Sequence, residues 1–173
     1  MEVGLLVLRI IVGAFVVGHG AQKLFGWFGG HGLGGTGAAF ESMGLRPGRT
    51  MAAIAGIAEV AGGSLLAIGL LTPLAAALLI AVMTIAIATV HWRHGPWVAE
   101  GGWEYNGVLI AVAFAVTATG PGKYSLDHAL ELDLAGVDWA LIALGAGLVS
   151  ALVVAAVARA QAADRAGTRP AGT

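Results

Sequence analysis

Cysteine is absent from the 173 residues, which removes disulfides, thiolate metal sites and cysteine redox relays from consideration. Charge is nearly as scarce. Only 11% of the residues are charged, against about 25% in an ordinary soluble domain, too few to keep a globular surface wet. Nine basic and ten acidic side chains leave a net charge of −1, so no basic surplus exists to neutralise nucleic-acid phosphates. Intrinsic disorder needs low hydrophobicity and high net charge, the opposite of this composition. What the chain does have is apolar surface: 58% hydrophobic residues and a mean hydropathy of +0.86. These values describe an integral membrane protein whose main partner is the lipid bilayer.

A hydrocarbon core of about 30 Å takes roughly 20 residues of helix to cross. Runs of that kind lie at Val3 to Phe25, Thr50 to Leu71, Leu74 to Trp92 and Val137 to Ala158, with a shorter one at Glu104 to Thr119. The first run has no basic start and no clear cleavage site, so it reads as a span rather than a signal peptide. Barrel strands would alternate with period two, whereas these runs are continuously apolar. The expected fold is therefore all-α, a polytopic bundle of five transmembrane helices.

Thr72-Pro73 reads as an N-cap followed by a first-turn proline, so the second and third spans are joined tightly. In the connection Gly26 to Gly48, rich in glycine and aromatics, Thr36 is expected to cap a short interfacial helix ending near Met43. Ser125 is expected to cap another over Leu126, Leu130 and Leu134. The last segment, 159–173, is polar and expected to be disordered.

Basic residues set the expected orientation. Lys23, Arg46, Arg49, Arg93, Arg159, Arg165 and Arg169 fall on one side of a five-span chain, leaving Arg9 and Lys123 towards the other. The positive-inside rule puts the N-terminus outside and the C-terminus in the cytoplasm.

Ionisable side chains inside spans cost at least about 2.5–3.5 kcal/mol each on insertion scales, so each one calls for a reason. His19, Gln22 and Lys23 share one helix face at i, i+3, i+4. At 1.5 Å per residue Glu59 lies about 13.5 Å into its span. His91 and Glu104 sit at span ends on the same side. The six residues His19, Gln22, Lys23, Glu59, His91 and Glu104 are the candidate ligand-binding set, expected to converge on a polar pocket in the cytoplasmic half. Thr84, Ala88 and His91 align at i, i+4, i+7 and would carry His91 into it. Ala55, Glu59, Gly63 and Ala67 form a small-residue stripe that admits a neighbouring helix. Arg9 and Glu59 are candidates for a structural ion pair. The spacing of His19 and His91 is too weak a signal to specify haem, and His19, Glu59 and His91 do not by spacing demand zinc, so no metal site is assigned.

The run His19-Gly20-Ala21-Gln22-Lys23-Leu24-Phe25-Gly26-Trp27-Phe28-Gly29-Gly30 resembles the first motif of the DoxX family of bacterial membrane proteins. The likeness continues through Gly44-Leu45-Arg46-Pro47, Ala55-Gly56-Ile57-Ala58-Glu59, Gly69-Leu70-Leu71-Thr72-Pro73, Val90-His91, Gly101-Gly102-Trp103-Glu104 and Gly120-Pro121-Gly122-Lys123-Tyr124-Ser125-Leu126-Asp127. It implies a four-helix DoxX/DoxD-like core over 1–127, holding the loop 26–48. The outer connection and fifth helix over 128–158, and the tail 159–173, are additions to a minimal four-span member. It also implies a membrane redox subunit, quinone-linked, in sulfur-compound oxidation or oxidative-stress defence. Quinone is then the expected ligand, and a cytoplasmic or membrane redox protein the expected partner. Self-association through small-residue faces such as Gly145 and Gly147 is a further expectation. The rival reading is a non-catalytic scaffold, a small-molecule transporter or a lipid-binding protein using the same pocket.

Overall fold

The computed structural model describes residues 1–167. Its helices are α1 (Glu2–Phe25), α2 (Gly32–Ser42), α3 (Gly48–Ile68), α4 (Thr72–Ala86), α5 (Glu104–Thr119), α6 (Leu126–Ala129) and α7 (Val137–Gly167). Among the described residues there is no strand, and four helices are long and apolar enough to cross a membrane: Glu2–Phe25, Gly48–Ile68, Thr72–His94 and Val137–Ala158. Helix α5 is also apolar, but its 16 residues rise only about 24 Å.

Helix α4 is the hub, packed against α3, α5 and α7, while α1 lies on the edge against α3. All five long helices feed one core, through Val16, Leu66, Leu79, Ile80, Val116 and Ala143. Outside it the helices stay apolar, with Phe15, Ile57, Ile142, Val149 and Leu152 all more than half exposed. An apolar exterior on helices of this length is a lipid-facing one. Lipid offers no hydrophobic drive for helices to associate, so close packing has to supply it. The α1–α3 seam does this with small residues. A Cβ placed on Gly13 would come within 2.5 Å of the Gly63 carbonyl oxygen, and one on Gly20 within 2.7 Å of that of Gly56. The expected stripe on α3 thus holds at Gly63 and Ala67, with Gly56 rather than Ala55 taking the next contact. On α7, Gly147 packs against Ile80, whereas Gly145 faces open space.

The end of the bundle formed by the α3–α4 turn is tied by residues far apart in sequence. Asp127, 2% exposed, accepts hydrogen bonds from Leu71 N (2.7 Å), Thr72 N (3.0 Å) and Thr72 Oγ1 (2.6 Å). It therefore caps α4, in place of the Thr72 side chain expected from the sequence. Arg9 is fully buried beside it and donates from Nη2 to the Tyr124 carbonyl at 2.7 Å. Its guanidinium occupies the space where a Cβ on Gly69 would stand, and Gly69 also has a positive φ of 65°. Only glycine meets both conditions.

Three boundaries differ from the sequence expectation by more than the few residues of an ordinary helix end. Helix α2 begins at Gly32, not Thr36, and His31 is its N-cap. Ser125 does cap α6, accepting from His128 N at 3.2 Å, but that helix stops at Ala129. Helix α7 runs past Ala158 to Gly167, because 159–166 is rich in alanine and arginine, strong helix formers with no glycine or proline to stop them. The expected disorder of that stretch is therefore corrected, and 168–173 lies outside the described residues.

Candidate functional site

At the opposite end from the α3–α4 turn, the last turns of α1 meet the first half of α3. Glu59 is 3% exposed, and the Lys23 ammonium sits astride its carboxylate, 2.8 Å from Oε1 and 2.7 Å from Oε2. Lys23 reaches it by lying back along its own helix, with Nζ 3.5 Å from the His19 carbonyl oxygen. Side chains on a helix tilt towards its N-terminus, so Lys23 delivers its charge about one turn deeper than its Cα.

His19 and Gln22 stand on the same turns. His19 Nδ1 and Gln22 Oε1 are 3.1 Å apart, and Gln22 Nε2 donates to the Phe28 carbonyl at 3.2 Å. Tyr105, from the first turn of α5, places its ring 6.4 Å from that of His19 at 57°. His19, Gln22 and Phe28 close one end of an open furrow of about 700 Å³ along the outer side of α1. Ile10, Ile11, Ala14, Phe15 and Gly18 line its apolar length, and His19, Gln22 and Phe28 its polar end. That volume is within the range of small-molecule sites. An apolar trough ending in hydrogen-bonding side chains suits a ligand with a polar head and an apolar tail.

The structure brings together four of the six candidate residues. His91 and Glu104 are placed elsewhere. Helix α4 widens into a π-helix over Ile87–His91, and this changes the residues per turn. The i, i+4, i+7 face from Thr84 is thereby broken. His91 turns to the loop that follows, its Nδ1 lying 2.6 Å from the Gly101 carbonyl oxygen. Glu104 opens α5, where an acidic side chain complements the helix dipole. The Arg9–Glu59 pair does not form either, since Lys23 takes Glu59 and Arg9 is held at Tyr124. Neither do His19, Glu59 and His91 assemble: among the described residues, no group of three such side chains is placed to hold a metal ion.

Two members of the site escaped the sequence reading. Tyr105 follows Glu104 at a span end, a position that reads as an ordinary interfacial aromatic. Phe28 takes part through its backbone, which no residue type announces. Its φ is 53°, and it sits between Gly26 at 76° and Gly29 at 80°.

In comparison with known proteins, a family model described as DoxX matches residues 4–92. The matched stretch holds His19, Gln22, Lys23 and Glu59, and ends before Tyr105. No curated protein and no solved structure matches the chain.

Proposed function

The chain belongs to the DoxX family of membrane proteins, and from that premise we propose that it is the quinone-binding subunit of a membrane redox system. The observation that carries this reading is the furrow on α1, which runs between Ile10 and Phe15 to a polar end at His19 and Gln22. A quinone needs a trough for its isoprenoid tail, hydrogen-bonding groups for its head, and a protonatable group nearby to follow its electrons. His19 and Gln22 meet the head, and the Lys23–Glu59 pair one turn behind them holds and passes the proton. His91, turned to the loop that joins α4 to α5, and Glu104, at the start of α5, stand outside this site as interfacial residues.

Electrons reach the head from a partner protein, which docks at the end carrying Arg46, Arg49 and Arg93. That end faces the cytoplasm by the positive-inside rule, leaving the N-terminus outside and the C-terminus inside the bacterial cytoplasmic membrane. Sulfur-compound oxidation and oxidative-stress defence are the two settings that the family resemblance suggests.

A photoreactive azidoquinone with a decyl tail tests the location. Irradiated with the protein in lipid nanodiscs, it should label the segment from Ile10 to Phe28, in competition with unmodified quinone. Labelling confined to α5 or α7, or insensitive to competitor, would overturn the site.

A further inference from the structure

Hydrogen-bond chemistry around Gln22 decides where His19 carries its proton. The Phe28 carbonyl oxygen can only accept, so the Gln22 atom 3.2 Å from it is the amide nitrogen. The other end of that amide is then its carbonyl oxygen, 3.1 Å from His19 Nδ1, and it too can only accept. Nδ1 must carry the hydrogen. In a neutral imidazole the second nitrogen, Nε2, is left with its lone pair. Among the described residues Nε2 has no hydrogen-bond partner. The nearest cation does not compete for it, because the Lys23 ammonium is committed to Glu59 and to the His19 carbonyl.

The loop is shaped to keep this arrangement. Phe28 adopts its left-handed backbone between two positive-φ glycines, and Gly30 lies so close that a Cβ there would meet the Gln22 backbone at 2.5 Å. The chain is thus folded tightly back on the last turn of α1, and the carbonyl it delivers there is the one that orients Gln22.

We propose that Gln22 and the Phe28 carbonyl are positioning groups that hold neutral His19 as a hydrogen-bond acceptor at the end of the furrow, so that the site selects a head bearing a hydroxyl, the hydroquinone over the quinone. The identity of the head rests on the quinone reading above; the tautomer of His19 does not. A phenolic O–H donates to Nε2. A quinone carbonyl brings a second acceptor against it and gains no bond. The difference is one hydrogen bond, roughly tenfold in affinity.

Nitrogen-15 spectra of histidine-labelled protein in nanodiscs at pH 8.5 report the tautomer directly, with His19→Gln identifying the resonance. The wild type is expected to show Nδ1–H, and Gln22→Leu to lose that preference. In the same samples a decyl-substituted benzoquinol should bind roughly tenfold more tightly than the corresponding quinone. Gln22→Leu, which removes both the acceptor opposite Nδ1 and the donor to the Phe28 carbonyl, should bring the ratio near one. An Nε2–H tautomer in the wild type, or equal binding of both heads with Nδ1–H in place, would overturn the proposal while leaving the furrow a quinone site. Binding of neither head would instead remove the quinone reading, and the preference with it.

Discussion

Lys23→Ala is expected to cost about 3–5 kcal/mol of stability, the usual effect of removing one partner from a buried ion pair. The cause is what remains: a Glu59 carboxylate 3% exposed, with the ammonium that had spanned both its oxygens gone. For a chain of this size such a loss lowers the thermal midpoint by roughly 6–20 °C. The paired substitution Lys23→Met with Glu59→Met should recover most of it, since replacing both members of a buried pair by apolar groups is often neutral. The recovered protein should nonetheless lack quinone-dependent turnover, as should Glu59→Gln, because neither retains the proton-carrying pair. A Lys23→Ala protein within about 1 kcal/mol of the wild type would mean that the pair is solvated and worth no more than a surface ion pair. Full turnover in Glu59→Gln would remove Glu59 from the proton path.

At the other end of the bundle, Asp127→Ala is expected to be as damaging, again about 3–5 kcal/mol, but without involving the furrow. It orphans the Leu71 and Thr72 backbone donors and the Thr72 hydroxyl. It also takes from buried Arg9 the carboxylate that supplies the opposite charge in the same knot. Asp127→Asn keeps an acceptor for part of this set and should lose less. Unfolding of both variants in the same detergent gives the order. An Asp127→Ala protein as stable as the wild type would show that the α3–α4 turn does not depend on this knot. Quinone affinity, measured on whatever fraction remains folded, should be unchanged, because the knot at Arg9 lies about 15 Å along α1 from the furrow's polar end at His19.

The long helices were legible because a membrane span states itself in composition: twenty apolar residues in lipid have no other stable form than a helix or a closed barrel. Glu104 to Thr119 needed no correction at either end. The site was legible only in part. Rise per residue gives the depth of a side chain but not the direction it faces or how far back along the helix it lies. That is why Glu59 could be matched with Arg9 on paper while Lys23, lying back one turn, holds it in the structure. His91 was misplaced for a related reason, since one π turn redirects everything after it and nothing in Ile87–His91 announces that turn. Asp127 was out of reach of any local pattern, because the donors it binds lie 55 and 56 residues away. The extension of α7 is a different case. Its polar composition suggested disorder, but alanine and arginine favour helix whether or not they are in lipid.

Organic extraction of protein purified in mild detergent, followed by mass spectrometry, is the most direct test that the α1 furrow is a quinone site. A stoichiometric quinone in the wild-type extract, formed by air oxidation of the bound hydroquinone and missing from His19→Ala protein of unchanged thermal midpoint, is the result expected. Wild-type protein without quinone, or the same quinone retained by His19→Ala, would contradict it.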